Sequence, residues 1–238
     1  MKKIIVLSGN CWLLPEPFSK ENDRRLVEII QLISKLRPDA VALQEVWLNK
    51  YITKIRNNLP EYTFVSPTPG DIFNKSGLLI GTKQIPKSVF TIFYPTEDYS
   101  IVEKLGNKGF QMLMFENDFV LCNTHLYDPR TSERAKYFAL EQLKHVLRAV
   151  NGFKDVIIAG DLNLSEEDLL ELHTPFKLPK IHADTVVPEN IWANSVFNKT
   201  VRPIRTDYIL TTDQIISEEV IKRPLVSDHY FLLSEIKI

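Results

Sequence analysis

Four runs most constrain what this chain can fold into: Ile4-Ile5-Val6-Leu7, Ala40-Val41-Ala42-Leu43, Leu78-Leu79-Ile80-Gly81 and Val156-Ile157-Ile158-Ala159. None contains a polar side chain, and each is too short for a stable helix but long enough for a strand buried on both faces. The chain must therefore provide sheets with cover on either side. Such runs tend to stop at a polar residue. Glu45, His125, Asp161, Asn163, Asp207, Asp228 and His229 are far apart in sequence, yet nearly all stand at the ends of predicted strands. Residues so placed converge along one edge of a sheet, where ligands bind, and this set of side chains implies metal-assisted hydrolysis.

Helical periodicity alternates with the strands. Residues 24–36 put Leu26, Ile29, Ile30, Ile33 and Leu36 on one face before Pro38 stops them, and residues 47–59 form a second predicted helix closed by Pro60. Residues 132–150 repeat the pattern through Ala135, Phe138, Ala139, Leu143, Val146, Leu147 and Val150. Further strands are predicted at 62–65, 89–94, 110–115, 119–124, 208–210 and 230–236, several close enough to pair antiparallel. Residues 95–108 read as a long polar connection, and the stretch after His173, broken by Pro175, Pro179 and Pro188, as loop with short strands. Strands outnumber helices, so helices are expected on the outer faces of two packed sheets. With 238 residues and 44% apolar composition, one α/β domain over residues 1–238 is expected.

Charge and cysteine usage exclude some classes. The net charge of −1 leaves no overall basic footprint for non-specific binding to duplex nucleic acid. Cys11 and Cys122 fall in or beside predicted strands, where reduced cysteine behaves as a small hydrophobe, so a reducing, cytoplasmic setting and a monomer are expected. The run before Ser8 is shorter than a signal peptide requires, and no stretch approaches the length of a membrane span.

The chemistry lies in five fragments. Gln44-Glu45 puts a carboxylate at a strand end, where a hard divalent cation takes one or two such oxygens; alone, such an acid is more often a solvated or capping residue. His125, in Asn123-Thr124-His125-Leu126, read alone, is more often a hydrogen-bonded structural residue. Gly160-Asp161-Leu162-Asn163 follows a buried run, and its glycine permits close backbone approach. An EF-hand is excluded, because Glu166 takes the glycine position and Leu172 that of the closing acid. Ser165-Glu166-Glu167-Asp168 reads as a helix cap with first-turn acids. Arg205-Thr206-Asp207-Tyr208 and Ser227-Asp228-His229-Tyr230 complete the set, and an Asp accepting from a His ring fixes its tautomer and stabilises its protonated form.

Together, from Asn10 through Gln44-Glu45, Asn123-Thr124-His125-Leu126, Gly160-Asp161-Leu162-Asn163 and Asp207-Tyr208 to Ser227-Asp228-His229, these fragments resemble the endonuclease/exonuclease/phosphatase superfamily, the DNase I-like fold, over nearly the whole chain. The resemblance implies a four-layer α/β sandwich with two central mixed sheets and a cleft at one end. It makes Glu45 the principal ligand of Mg²⁺, with Mn²⁺ as a substitute, Asn10 close to it and Asp228 assisting. It has Asp161 orienting or deprotonating the attacking water and Asn163 touching the scissile phosphate. His229, steadied by Asp207, would stabilise the phosphoryl charge, with His125 as a second phosphate contact; whether Asp161 or His229 is the base stays open.

Leu43-Gln44-Glu45-Val46-Trp47, Thr124-His125-Leu126 followed by a helix with Arg134, and Gly160-Asp161-Leu162-Asn163-Leu164 are similar to neutral sphingomyelinases, as is Asn107-Lys108-Gly109-Phe110, although a tight turn with a solvated lysine reads equally well there. Unlike some of that subgroup, the chain shows no C-terminal transmembrane pair and no exposed aromatic hairpin. A phosphodiesterase acting on a lipid head group or small phosphodiester is expected. The alternatives are a nuclease, using the basic stretch Lys199, Arg202 and Arg205, and a catalytically inactive binding module. Tyr127, Arg130, residues 73–75, Trp192 and Asn194 are the candidate selectors of substrate, and each reads at least as well as a packing or surface residue.

Overall fold

Alternation along the strands sorts the apolar side chains into three layers. In the computed structural model, residues 3–95, 99–128, 134–178, 182–193 and 202–238 are described. A six-stranded sheet comprises β1 (Lys3–Leu13), β2 (Ala40–Val46), β3 (Thr63–Val65), β4 (Leu79–Thr82), β10 (Gln214–Ile221) and β11 (Phe231–Lys237), in the order β10-β11-β1-β2-β4-β3. A five-stranded sheet runs β5-β6-β7-β8-β9, from Ser88–Phe93, Gly109–Met114, Val120–His125, Val156–Asp161 and Asp207–Thr211. Val6, Ala40, Ala42, Ile80 and Leu232 meet Leu113, Leu121, Ile157, Ala159 and Ile209 between the sheets. Alternate residues of the first sheet pack beneath α1 (Asn22–Leu36) and α2 (Asn49–Asn58). Those of the second pack beneath α4 (Ala135–Val150) and α5 (Glu166–Glu171). The result is the expected four-layer sandwich of two mixed sheets.

Two parallel pairs lie inside these sheets. The connection from β1 to β2 passes through α1, and that from β7 to β8 passes through α4. A crossover of this kind leaves both strands of a pair ending on the same edge. That edge carries Asn10 and Glu45 in one sheet, and His125 and Asp161 in the other.

Several boundaries differ from the sequence reading. The second helix starts at Asn49 rather than residue 47, because Leu48 is extended and bridges Phe73. The 95–108 connection contains α3 (Ile101–Gly106), capped where the Ser100 hydroxyl accepts from the Glu103 amide and ended by Asn107 in the left-handed conformation. β10 was not anticipated. Ser165 and Asp168 form the reciprocal capping box of α5, as its sequence suggests.

Candidate active site

Strand parity also explains which polar groups meet. Val6 on β1, Ala42 on β2, Leu121 on β7, Ala159 on β8 and Ile209 on β9 all face the layer between the sheets. Two or four residues along, the same inner series reaches Ser8 and Asn10, Gln44, Asn123 and His125, Asp161 and Asp207. The inter-sheet layer therefore turns polar at one end. A lock marks the transition: the Gln44 amide donates to Asn123 Oδ1 at 2.8 Å, and Asn123 Nδ2 donates to the Leu43 carbonyl at 2.8 Å.

Glu45 breaks the alternation. Parity would send it toward α1 with Leu43, but its φ is +56°, the β1–β2 register shifts between Asn10 and Leu13, and Val46 resumes the helix-facing core. This bulge delivers the carboxylate to the inner side, where Oε1 accepts from Asn10 Nδ2 at 3.1 Å. The same Asn10 nitrogen donates to Asp161 Oδ2 at 3.1 Å, while Asn10 Oδ1 accepts from the Trp12 amide. Glu45 Oε2 is buried and has no hydrogen-bond partner among the described residues.

The histidines flank these acids. His125 Nε2 is 3.6 Å from Asp161 Oδ2, and its Nδ1 is 4.0 Å from Glu45 Oε1. His229 Nδ1 meets Asp207 Oδ2 at 2.8 Å, and its Nε2 points back to Asp161 Oδ2 at 3.8 Å. The Thr206 hydroxyl also donates to Asp207 Oδ2, at 3.1 Å. Asn163, at φ +51°, donates its amide hydrogen to Asp161 Oδ1 and its side chain to the Leu126 carbonyl. Gly160 has the close approach its motif implies, since a Cβ there would lie 1.9 Å from the Thr124 carbonyl oxygen.

Burial sets the electrostatics. It pushes the Glu45 carboxyl upward, the charge of Asp228 adding to the shift and the Asn10 hydrogen bond opposing it. Burial, then the charge of Asp207, likewise raises Asp161. Burial alone would lower the His229 imidazole, but the charges of Asp207, Asp161 and Asp228 and the Asp207 hydrogen bond outweigh it and hold the ring well above its ordinary pKa. Asp161, Asp207 and His229 bring potential ligand atoms within 4.8 Å of one another. A cation there would compete with the imidazolium proton, whereas the unpartnered Glu45 oxygen, beside the Asn10 amide, fits a hard cation better. Asp228, held by the Ser227 hydroxyl at 3.0 Å, acts on Glu45 through its charge.

Some expectations require correction. Lys108 is not solvated: it is buried, ion-paired with Glu103 at 3.1 Å, 3.2 Å from His125 Nε2, and donates to the Leu126 carbonyl. Its place at the site-end start of β6 was the available signal. Arg205 is also buried, against Glu218 at 2.6 Å, so it cannot line a groove for nucleic acid. Tyr127 and Trp192 are buried in packing rather than displayed as selectors. In the 73–75 segment Asn74 is buried and Phe73 exposed. Arg130, Asn194 and Lys199 lie outside the described residues.

Sequence reasoning missed Arg25. Wholly buried in α1, it donates from Nη1 to the Cys11 and Val226 carbonyls at 2.8 and 3.0 Å and from Nη2 to the Trp12 carbonyl at 2.7 Å and Asn22 Oδ1 at 2.7 Å. Its Nε donates to the Lys20 carbonyl, and the guanidinium sits 4.8 Å from the Trp12 ring and 5.7 Å from that of Trp192. It thereby ties the backbone just after Asn10 to that just before Ser227-Asp228-His229.

Solved structures share this architecture. D. rerio TDP2 complexed with single strand DNA product is 18% identical, with TM-score 0.76 and 100% of both chains covered. A double mutant of Staphylococcus aureus beta toxin with bound magnesium ions is 19% identical, with TM-score 0.81, covering 99% of this chain and 100% of that one. Truncated Caenorhabditis elegans TDP2 is 16% identical, with TM-score 0.71 and 99% and 98% covered. At these identities the likeness establishes the fold alone. No curated protein matches the sequence. The model of the Endonuclease/Exonuclease/phosphatase family matches residues 7–229, and with the site at the shared edge of both sheets, the chain belongs to that family.

Proposed function

We propose that this protein is a divalent-metal-dependent phosphoester hydrolase that cleaves a phosphodiester by attack of water on phosphorus. One observation carries the reading: a single amide, Asn10 Nδ2, joins Glu45 to Asp161, and the Asp207-held His229 faces the same Asp161 oxygen. An acid suited to a cation, an acid suited to a water and an imidazole ring thus meet at one end of the inter-sheet layer.

Glu45 and Asn10 would hold Mg²⁺ or Mn²⁺, with Asp228 adding negative charge nearby; when bound, the metal supplies Lewis acidity to a phosphoryl oxygen. Asp161 would orient a water and accept its proton. His229, clamped through Nδ1 by Asp207, presents Nε2 to the charge that develops on the phosphoryl oxygens. His125 and Asn163 border the same space. The assignment of the base to Asp161 or His229 is not needed for this constellation to work.

For substrate, a choline-phosphate diester of the sphingomyelinase type is the first reading, supported by the sequence motifs around Glu45, His125 and Asp161. A nuclease is less well supported, because Arg205 is committed to Glu218. Turnover of bis(p-nitrophenyl) phosphate in Mg²⁺, abolished by EDTA, tests the chemistry. Full activity in excess EDTA would refute it. A panel of sphingomyelin, single- and double-stranded DNA, RNA and an inositol phosphate then ranks the substrates.

A further inference from the structure

Asp207 opens β9 in the five-stranded sheet, whereas His229 stands just before β11 in the six-stranded one. The 2.8 Å contact between their side chains therefore crosses from one sheet to the other, and neither ladder of backbone hydrogen bonds fixes its length. We propose that Thr185, wholly buried and outside the strands and helices, is a positioning residue that sets the separation and orientation of the Asp207–His229 pair.

Thr185 holds both partners at once. Its Oγ1 accepts the backbone N–H groups of Thr206 and Asp207, at 3.2 and 3.3 Å. Its carbonyl accepts from the Tyr230 amide at 2.8 Å, and its own amide donates to the Ile204 carbonyl at 3.1 Å. The hydroxyl thus fixes the residue that carries the carboxylate, and the carbonyl fixes the neighbour of the imidazole. Thr206, whose amide is held in this way, gives its hydroxyl to Asp207 Oδ2 at 3.1 Å, so the rotation of the carboxylate is set as well as its place.

The chain after Thr185 repeats the pattern. Val186 and Ile204 exchange backbone hydrogen bonds at 3.0 Å, Asn190 Nδ2 donates to the Ser227 carbonyl at 2.9 Å, and the Trp192 indole donates to the Leu225 carbonyl at 3.0 Å. A threonine buried for its methyl group alone could be valine. Here valine would leave two consecutive amides without their acceptor, one of them on the residue whose carboxylate must meet His229. A shift there would also turn His229 Nε2 away from Asp161 Oδ2, now 3.8 Å off, and misplacement by about 1 Å can cost roughly 10²-fold in rate.

This role rests on the hydrolase reading, so the test pairs turnover with a signal from the resting protein. In Thr185→Val, kcat for bis(p-nitrophenyl) phosphate should fall roughly 10- to 10²-fold while KM and the half-saturating Mg²⁺ concentration stay within about twofold, and Thr185→Ser should restore most of the rate. In proton NMR, the downfield Nδ1–H resonance of His229, assigned by its loss in Asp207→Asn, should move or broaden in Thr185→Val and return in Thr185→Ser. Wild-type kcat in Thr185→Val overturns the proposal, as does a loss that Thr185→Ser fails to restore or that KM and the Mg²⁺ requirement share. Should Thr185→Val not fold, Thr185→Ala, which leaves room for a water on the two amides, is measured in its place with the same outcomes; if neither folds, Thr185 serves the fold rather than the site, and the proposal falls. If wild type hydrolyses no phosphodiester, the hydrolase reading fails on its own, and the His229 resonance decides the clamp: unchanged in Thr185→Val it removes the clamp, and changed it leaves the clamp standing.

Discussion

Removing Arg25 should destabilise the fold and disconnect two halves of the site together. Its guanidinium donates five hydrogen bonds, four of them to the main-chain carbonyls of Lys20, Cys11, Val226 and Trp12. In Arg25→Ala those carbonyls lose a charged donor inside the protein, at about 1–3 kcal/mol for each one left dry, and the space between Trp12 and Trp192 opens. The variant no longer bears the cost of desolvating a cation, which offsets part of the sum, so a net loss of about 3–5 kcal/mol is expected. Arg25→Met separates packing from hydrogen bonding, because it fills the slot without donating. Arg25→Lys retains at most three donors and should fall between wild type and Met. Equilibrium urea unfolding followed by tryptophan fluorescence reads all three, with comparable slopes. If Arg25→Met unfolds within about 1 kcal/mol of wild type, the hydrogen bonds contribute little and the clamp is only a space-filler.

Other consequences are sharper at the cleft. His229→Ala should cut phosphodiester turnover roughly 10²-fold or more and Asp207→Asn less; acting as one unit, the double variant should be little worse than His229→Ala, and multiplicative losses in steady-state kinetics would separate their roles. Glu45→Ala should raise the Mg²⁺ concentration needed for half-maximal rate while leaving the circular dichroism spectrum unchanged, and a normal metal titration would remove Glu45 from the cation site. Gly160→Ala should cost about 3 kcal/mol or more in denaturant, because its Cβ would collide with the Thr124 carbonyl, and a near-neutral effect would mean that β7 and β8 can part there. Burial drives the Cys11 and Cys122 thiols far above their ordinary pKa, so an aromatic disulfide reagent should leave both untouched until the protein unfolds; stoichiometric labelling of the native chain would contradict this.

Legibility in the sequence followed the strength of the local signal. The runs at β1, β2, β4 and β8 are apolar throughout, so their burial on both faces could be inferred, and with it the placement of Glu45 and Asp161 at strand ends. β10 was hidden because Gln214–Ile221 carries Glu218 and Glu219 on an edge strand, and the burial of Glu218 depends on Arg205, a partner invisible to alternation. α3 was hidden because six residues show fewer than two helical turns. At the site, the acids and histidines were legible as residue types at strand ends, whereas the three-way sharing of Asn10 requires both sheets at once. Arg25 was unreadable for a related reason: a cation counts as buried only once its several acceptors, from separate segments, are in place.

The bulge at Glu45 imposes a reading frame on the polar edge of the sheet. A carboxylate moved to position 44 would enter the inter-sheet lock in place of the amide that donates to Asn123, and one moved to position 46 would enter the apolar layer beneath α1. The Glu45 carboxylate therefore cannot migrate along its strand by stepwise substitution. Any functional transplant of this edge into another sandwich must carry the irregular backbone around Asn10, Trp12 and Glu45 as one piece.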